Sequence, residues 1–288
     1  MRQESGVQQS FGVVGAGTMG HGIAQLAAQA GYAVQLYDTT QERAEAGLAR
    51  LRANLDAGVQ KGKVATAERD AALARVKAVS ALAELAGCDV VVEAVPEELA
   101  LKQALFRELS ALLAPDALLA TNTSALSVTE LAAAARHPER VVGMHFFNPA
   151  HLMKLLELVR ALQTSEATLA RARAVAERLG KQVVEVQDHP GFASSRLGIL
   201  LGMEAIRMVE EGVGSPADID RAMELGYGHP MGPLKLTDLV GLDVRLAIAE
   251  HLHRELGNAA FRPPQLLKRM VRAGKLGKKS GEGFYRYP

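Results

Sequence analysis

The sequence predicts an α/β protein in two parts. A doubly wound, mostly parallel sheet with helices on both faces comes first, and an all-helical C-terminal domain follows. Three observations lead there. From Phe11 to Val186, short apolar runs alternate with segments of helical periodicity, the pattern of repeated strand–helix–strand units. A glycine turn, GAGTMG over residues 15–20, joins the first apolar run to the first amphipathic segment. After Asp188-His189-Pro190-Gly191 the strand pattern stops, and the segments that follow have helical spacing up to the tail. The boundaries read as residues 1–189 and 190–288.

The first unit carries the most information. Residues 11–14 form a short apolar strand ending at Gly15, and Gly15, Gly17 and Gly20 fit G-x-G-x-x-G. Gly15 permits a tight turn, Gly17 a close backbone approach to a pyrophosphate, and Gly20 close packing of helix on strand. A helix beginning near Thr18 and Met19 points its unpaired N–H groups and positive dipole end at such a ligand. Gly31 stops that helix, and residues 33–37 form a second strand with Asp38 at its end. A carboxylate there accepts from the ribose hydroxyls and repels a 2′-phosphate. Thr39 and Thr40 follow it, where an arginine would welcome one. The cofactor expected from a Rossmann-type unit of this kind is NAD rather than NADP.

The remaining elements follow in order. Residues 41–55 are a helix, and Thr66 is placed to cap a second one through Leu73. This helical excursion, at about 41–75, is longer than a crossover requires. It reads either as a ligand or partner element or as a solvated hairpin without a role. Residues 90–92 form a strand ending at Glu93, residues 99–113 a helix, and residues 118–121 a strand ending in Asn122-Thr123-Ser124. Ser127 with Glu130 makes a capping box. Strands at 141–147, 155–159 and 182–186, with a helix at 165–179, complete the sheet. Helices are expected at 195–211, 216–225, 233–240 and 242–256. The apolar Ile199-Leu200-Leu201 segment with Met203, Ile206 and Met208 suits a dimer interface or simple core packing.

Composition narrows the class. The 288 residues are 48% hydrophobic and 23% charged, enough for a large core. With 33 basic and 32 acidic residues the net charge is +1, which points to neither nucleic acid nor an anionic membrane surface. The single Cys88 excludes an internal disulfide and reads as a packed thiol beside an apolar run. No apolar run is long enough for a bilayer span, and the polar start MRQESGVQQS reads as a short disordered lead-in without a signal-peptide core. A cytoplasmic protein is expected.

Oxidising an alcohol next to a dinucleotide needs a proton acceptor. His145, at the end of an apolar strand in MHFFNP, is the leading candidate, since imidazole titrates near neutrality. Glu157 follows in KLLELV, and two strands joined by a turn would set it beside His145. From spacing alone the pair reads equally as catalytic or as a satisfied structural histidine. Ser124 is a candidate donor to the substrate oxygen, or a cap. No His/Cys/Asp/Glu group has metal-ligand spacing. The basic Gly277-Lys278-Lys279-Ser280 stretch is either a phosphate contact or a solvated tail.

The motifs GAGTMGHGIAQ, VVEAVPEEL, NTSALS, HFFNPAHLMKLLELV, GYGHPMGPLKLTDLVGLD and KSGEGFY together resemble the 3-hydroxyacyl-CoA dehydrogenase family, most closely its short-chain 3-hydroxybutyryl-CoA members. The resemblance runs from about Phe11 to Tyr287. It implies an NAD-binding domain followed by a helical domain through which the protein dimerises, and an acyl-CoA substrate. It also implies that His145 is the base, Glu157 its orienting partner, and Ser124 a contact of both substrate and cofactor. Glu97, Lys102, Asn148 and Lys279 match cofactor-site positions, and Lys61 matches a contact of coenzyme A. Two positions depart from the pattern. Ser195 precedes Arg196 where an asparagine is common, and Asn54 stands where a serine is expected in the coenzyme A arm. Two rivals remain open: a dehydrogenase of a free hydroxy acid, and a non-catalytic NAD-binding structural protein.

Overall fold

A computed structural model describes residues 9–288. The chain divides into two compact units, Met1–Asp188 and His189–Pro288. Residues 1–8 of the expected polar lead-in lie outside the described residues, and Ser10 already begins the first strand.

The first unit runs β1 (Ser10–Val14), α1 (Gly20–Gln29), β2 (Ala33–Tyr37), α2 (Gln41–Gln60), α3 (Thr66–Ala74), β3 (Val76–Val79) and β4 (Val90–Glu93). It continues with α4 (Leu99–Leu112), β5 (Leu118–Thr121), α5 (Val128–Ala133), β6 (Val141–Phe146), β7 (Leu155–Arg160), α6 (Glu166–Arg178) and β8 (Gln182–Gln187). The strands form one sheet in the order β3-β2-β1-β4-β5-β6-β7-β8. Every neighbouring pair is parallel except β6 and β7. The chain order reverses between β1 and β4, and in such sheets a ligand crevice opens beyond the carboxyl ends of those strands.

Burial explains the composition of these elements. β4 and β5 are buried throughout, as expected for strands covered on both faces, and read VVVE and LLAT. α1 turns Ile23, Ala24, Leu26 and Ala27 into the same core as Phe11 and Val13. Its small residues allow close helix–sheet contact. Gly31, at φ +89°, ends it, and the Gly31 and Tyr32 N–H groups pair with Ala28 and Ala27 carbonyls. Cys88 is buried, donates to Gln35 Oε1 at 3.2 Å, and burial pushes its thiol up to about 12.

Several local expectations need correction. α2 runs past Leu55 to Gln60, and Gly58 inside it leaves room for Val64, whose side chain lies 2.8 Å from where a Cβ would sit. Thr66 does not cap α3. Ala65 occupies that position, and the Glu68 carboxylate accepts from the Ala65 N–H at 3.1 Å. β3 has no counterpart in the sequence reading, since Val76-Lys77-Ala78-Val79 is too short to show a period, and it is the pairing with β2 that makes it a strand.

The second unit is helical: α7 (Ser194–Glu210), α8 (Pro216–Tyr227), α9 (Pro233–Val240), α10 (Leu242–Leu256) and α11 (Gln265–Arg272). Ile199, Met203 and Ile206 of α7 pack with Leu234, Leu242 and Leu252, while Leu197 and Leu200 are exposed. α11 is the helix the sequence hid, because Arg262-Pro263-Pro264 before it and Lys268, Arg269 and Arg272 within it mask its apolar face. The C-terminal tail is tied down by Asp238, which accepts from the Phe284 and Tyr285 N–H groups at 2.9 Å each.

Candidate active site

The glycine turn is built as its spacing requires, with a different constraint at each glycine. Gly15 has φ +99°, and a Cβ there would lie 2.8 Å from the Ala94 carbonyl oxygen. A Cβ on Gly20 would lie 1.6 Å from the Gly15 oxygen. A Cβ on Gly17, by contrast, would meet nothing within 4 Å. No protein packing demands glycine at 17, so the reason for it lies in whatever approaches that backbone from outside, as a pyrophosphate does. Thr18 and Met19 lead from this turn into α1, and the Ile23 N–H returns to the Met19 carbonyl at 3.0 Å.

A cavity of about 630 Å³ opens next to the turn, lined among others by Gly15, Gly17, Asp38, Val95 and Leu101. Asp38 is anchored at its rim, accepting from the Ala16 N–H at 2.9 Å and the Thr39 N–H at 2.8 Å. Those bonds fix the carboxylate where an adenosine ribose would lie. Arg43, Ala46 and Arg50 of α2 also line the cavity. Thr39 and Thr40 follow Asp38 in the sequence, and the arginines come to it from the next helix. Arg43 and Arg50 are seven residues apart with Ala46 between them, a spacing that brings all three side chains to one helical face.

Behind the cavity lies a buried ionic network. Glu93, at the end of β4, is fully buried, and the Lys102 ammonium of α4 donates to its Oε1 at 2.6 Å. Thr121 donates to the other oxygen at 2.7 Å. Burial pushes the Glu93 carboxyl above its ordinary range, against the pull of Lys102. Lys102, 1% exposed, also pairs with Glu97 at 3.2 Å. Glu97 accepts from the Thr123 hydroxyl and from the Ser124 and Ala125 N–H groups at 2.5 to 3.1 Å. Burial raises the Glu97 carboxyl, but Lys102 and these donors outweigh it and hold the carboxyl below its usual value. Lys102 thus sits inside the wall, and through Glu97 it fixes the turn that carries Ser124.

β6 and β7 bring the histidine and its partner together. Their antiparallel register sets His145 directly opposite Glu157. Nδ1 of His145 lies 2.9 Å from Glu157 Oε2, with the side chains 6% and 1% exposed. The Phe147 ring packs 4.6 Å from the imidazole. Asn122 Oδ1 accepts from the Phe146 N–H at 2.9 Å, tying the end of β5 to that of β6. Asn148 is the second residue of the 147–154 connection. Lys181, buried and unforeseen, donates to the Ala150 and Met153 carbonyls at 2.6 Å each and holds that connection in place. Desolvation lowers its ammonium below the usual lysine value.

The other expected residues fall elsewhere. Asn54 and Lys61 line a second cavity, between α1 and the helical excursion. Ser195 lies in the first turn of α7, and Lys279 pairs with Asp243 in the second unit. Among the described residues no group of three His, Cys, Asp or Glu side chains is placed to hold a metal ion, and no helix is long and apolar enough to cross a membrane.

A mostly parallel sheet with a glycine turn, a carboxylate fixed beside that turn and a buried histidine–carboxylate pair defines the class of dinucleotide-dependent dehydrogenases. Residues 10–189 match the family model for the 3-hydroxyacyl-CoA dehydrogenase NAD binding domain, and residues 191–287 match that for the C-terminal domain. The chain belongs to the 3-hydroxyacyl-CoA dehydrogenase family. It is 49% identical over 275 residues to the probable 3-hydroxybutyryl-CoA dehydrogenase of Bacillus subtilis, covering 96% of each chain. It is 40% identical to the pig mitochondrial hydroxyacyl-coenzyme A dehydrogenase, covering 96% of this chain and 90% of that one. The crystal structure of (S)-3-hydroxybutyryl-CoA dehydrogenase from Ralstonia eutropha superposes with a TM-score of 0.94 at 40% identity, covering 98% of this chain and 99% of that chain.

Proposed function

We propose that the protein interconverts a (3S)-3-hydroxyacyl-CoA and the corresponding 3-oxoacyl-CoA, with a short acyl chain of the 3-hydroxybutyryl type. The observation that carries this reading is the His145–Glu157 pair, buried and opposite in register at the carboxyl end of β6. NAD, when bound, supplies the hydride acceptor. The glycine turn, with Thr18 and Met19, receives its phosphates, and Asp38 its adenosine ribose. Glu97, Asn148 and Lys279 complete the cofactor contacts, and Lys102 acts from behind them by holding Glu97.

Glu157 fixes the tautomer of His145 by accepting from Nδ1–H, which leaves Nε2 as the nitrogen that takes the substrate hydroxyl proton. As the imidazole becomes positive, the buried carboxylate stabilises it. Ser124 donates to the reacting oxygen, from a turn held by Glu97. Asn54 and Lys61 bind the coenzyme A portion, and Ser195 contacts the acyl end with a shorter reach than asparagine. The helical second unit forms the interface of a homodimer, for which exposed Leu197 and Leu200 on α7 speak. A reduced, buried Cys88 suits a cytoplasmic setting.

Initial rates of NADH oxidation test this reading. Acetoacetyl-CoA is expected to be reduced at least ~10²-fold more efficiently than free acetoacetate, since binding energy from a remote substrate portion raises kcat/KM. With acetoacetyl-CoA, NADH is expected to exceed NADPH by ~10²-fold in kcat/KM, because Asp38 rejects a 2′-phosphate. Equal efficiency with the free acid would favour the hydroxy-acid rival. Equal use of the two cofactors would mean that Arg43 and Arg50 offset Asp38.

A further inference from the structure

Arg245 of α10 is a buried charge without a counter-charge. It is 6% exposed, and its buried Nε meets no hydrogen-bond partner. Among the described residues no carboxylate stands beside its guanidinium. Burial alone lowers the group to about 10, which leaves it positive at pH 7. The two buried carboxylates of the second unit are committed elsewhere. Asp220 accepts from the Leu234 and Lys235 N–H groups and from the Tyr285 hydroxyl. Asp238 accepts from the Phe284 and Tyr285 N–H groups and from the Tyr287 hydroxyl. Taking a cation out of water without a partner is costly, so a guanidinium kept in this way calls for an anion from outside the chain.

Arg245 meets α7 at two glycines. Its Nη1 lies 3.5 Å from where a Cβ on Gly198 would sit and 4.0 Å from where one on Gly202 would sit. Both glycines lie inside the helix, where glycine is a poorer former than alanine, and neither has the positive φ that would require it. What they supply is room. The Arg245 nitrogen is the one neighbour within 4 Å of the Gly198 Cβ position, and a side chain longer than a methyl group there would press on the guanidinium. Ser195, Gly198 and Gly202 are spaced three and four residues apart and so share one face of α7. Ser195 and Gly198 are half-buried and Gly202 is buried, so this face is open at its Ser195 end and closes toward the other.

We propose that Arg245 receives a carboxylate at the far end of the acyl chain, which lies along the Ser195–Gly198–Gly202 face, so that thioesters of dicarboxylic acids are the preferred substrates. The proposal rests on the acyl-CoA reading above, in which Ser195 meets the acyl end, and it names the substrate class of that site. Gly198 is about one helical turn, or about 5.4 Å, along α7 from Ser195, a span that a few methylene groups cover. A planar guanidinium pairs with a carboxylate through two parallel hydrogen bonds, which a terminal methyl group cannot make.

Reduction of 3-oxoadipyl-CoA and of 3-oxohexanoyl-CoA by NADH tests this. The two acyl chains have the same number of carbons and differ only at the last, a carboxylate in one and a methyl group in the other. The kcat/KM of the parent is expected to favour 3-oxoadipyl-CoA by at least roughly tenfold. Arg245→Met, which keeps most of the length and removes the charge, is expected to bring that ratio to one or below. Both substrates are read on the same protein, so a general loss of active enzyme cancels. Gly198→Leu, which fills the space beside Nη1 and leaves the charge, is expected to lower the ratio at least about fivefold, and it carries the test if Arg245→Met does not fold. A parent ratio of one or less overturns the proposal, and so does an unchanged ratio in Arg245→Met or, if that variant does not fold, in Gly198→Leu. If Arg245→Met keeps the ratio but sediments as a smaller species than the parent, the guanidinium serves an anion of a second copy, and the proposal falls. A parent that reduces acetoacetyl-CoA without favouring the dicarboxylic thioester leaves the acyl-CoA reading standing and overturns this inference alone. A parent that reduces no acyl-CoA overturns both.

Discussion

Replacing His145 with Gln is expected to lower kcat for acetoacetyl-CoA reduction by roughly 10²–10⁴-fold, the usual contribution of a positioned general acid–base group. The size follows from the setting. The imidazole is buried, its Nδ1 is committed to Glu157 at 2.9 Å, and Phe147 packs against the ring. Glutamine retains a hydrogen-bonding end but has no proton to exchange near neutrality. The cavity at the glycine turn does not include His145, so NADH affinity, read by fluorescence titration, is expected to stay within about twofold while turnover collapses. A loss of NADH affinity equal to the loss of rate would instead mean that His145 supports the fold of the cofactor site.

Lys102→Met is expected to give the largest loss of stability. Lys102 is 1% exposed and lies between fully buried Glu93 and half-buried Glu97. Removing one member of a buried ion pair strands the other charge, at a cost of about 3–5 kcal/mol. For a chain of this size the melting temperature is expected to fall by roughly 10 °C. The sign of its pH dependence also follows. Burial already pushes the Glu93 carboxyl upward, and without the ammonium it is pushed further. A carboxyl whose folded value lies above its unfolded value binds more protons when folded. Its contribution is therefore complete below the unfolded value and is lost as pH rises through the folded one. The deficit of Lys102→Met relative to the parent should accordingly be smaller at pH 5 than at pH 8, by thermal melts at both. A melt within 2 °C of the parent at pH 8 would show the network to be dispensable.

Much of the candidate site was legible because it is encoded at short range. The three glycines and Asp38 stand in one strand–turn–helix–strand unit, so their spacing in sequence nearly determines their spacing in space. His145 and Glu157 were legible for a related reason: an antiparallel hairpin makes its register readable once both strands are recognised. Other features depend on contacts between distant segments and left no local trace. Lys181 reaches back to Ala150 and Met153 from across β7, and Gly47 of α2 allows close contact with Ala16, whose Cβ lies 2.5 Å from where a side chain would start. Arg43 and Arg50 reach the cofactor cavity only because α2 folds over the end of β2. β3 and α11 escaped for opposite reasons. The first is too short for a period, and the second hides its apolar face among prolines and cations.

The central claim is that His145 and Glu157 work as one unit, and a double-mutant cycle measures that directly. In the parent, Glu157→Gln is expected to lower kcat by roughly 10²-fold, because the imidazole loses its orienting carboxylate. In the His145→Gln background the same change should cost less than about threefold, since residues acting through one another are strongly non-additive. Effects that simply multiply, with Glu157→Gln costing the full factor whether or not His145 is present, would contradict it.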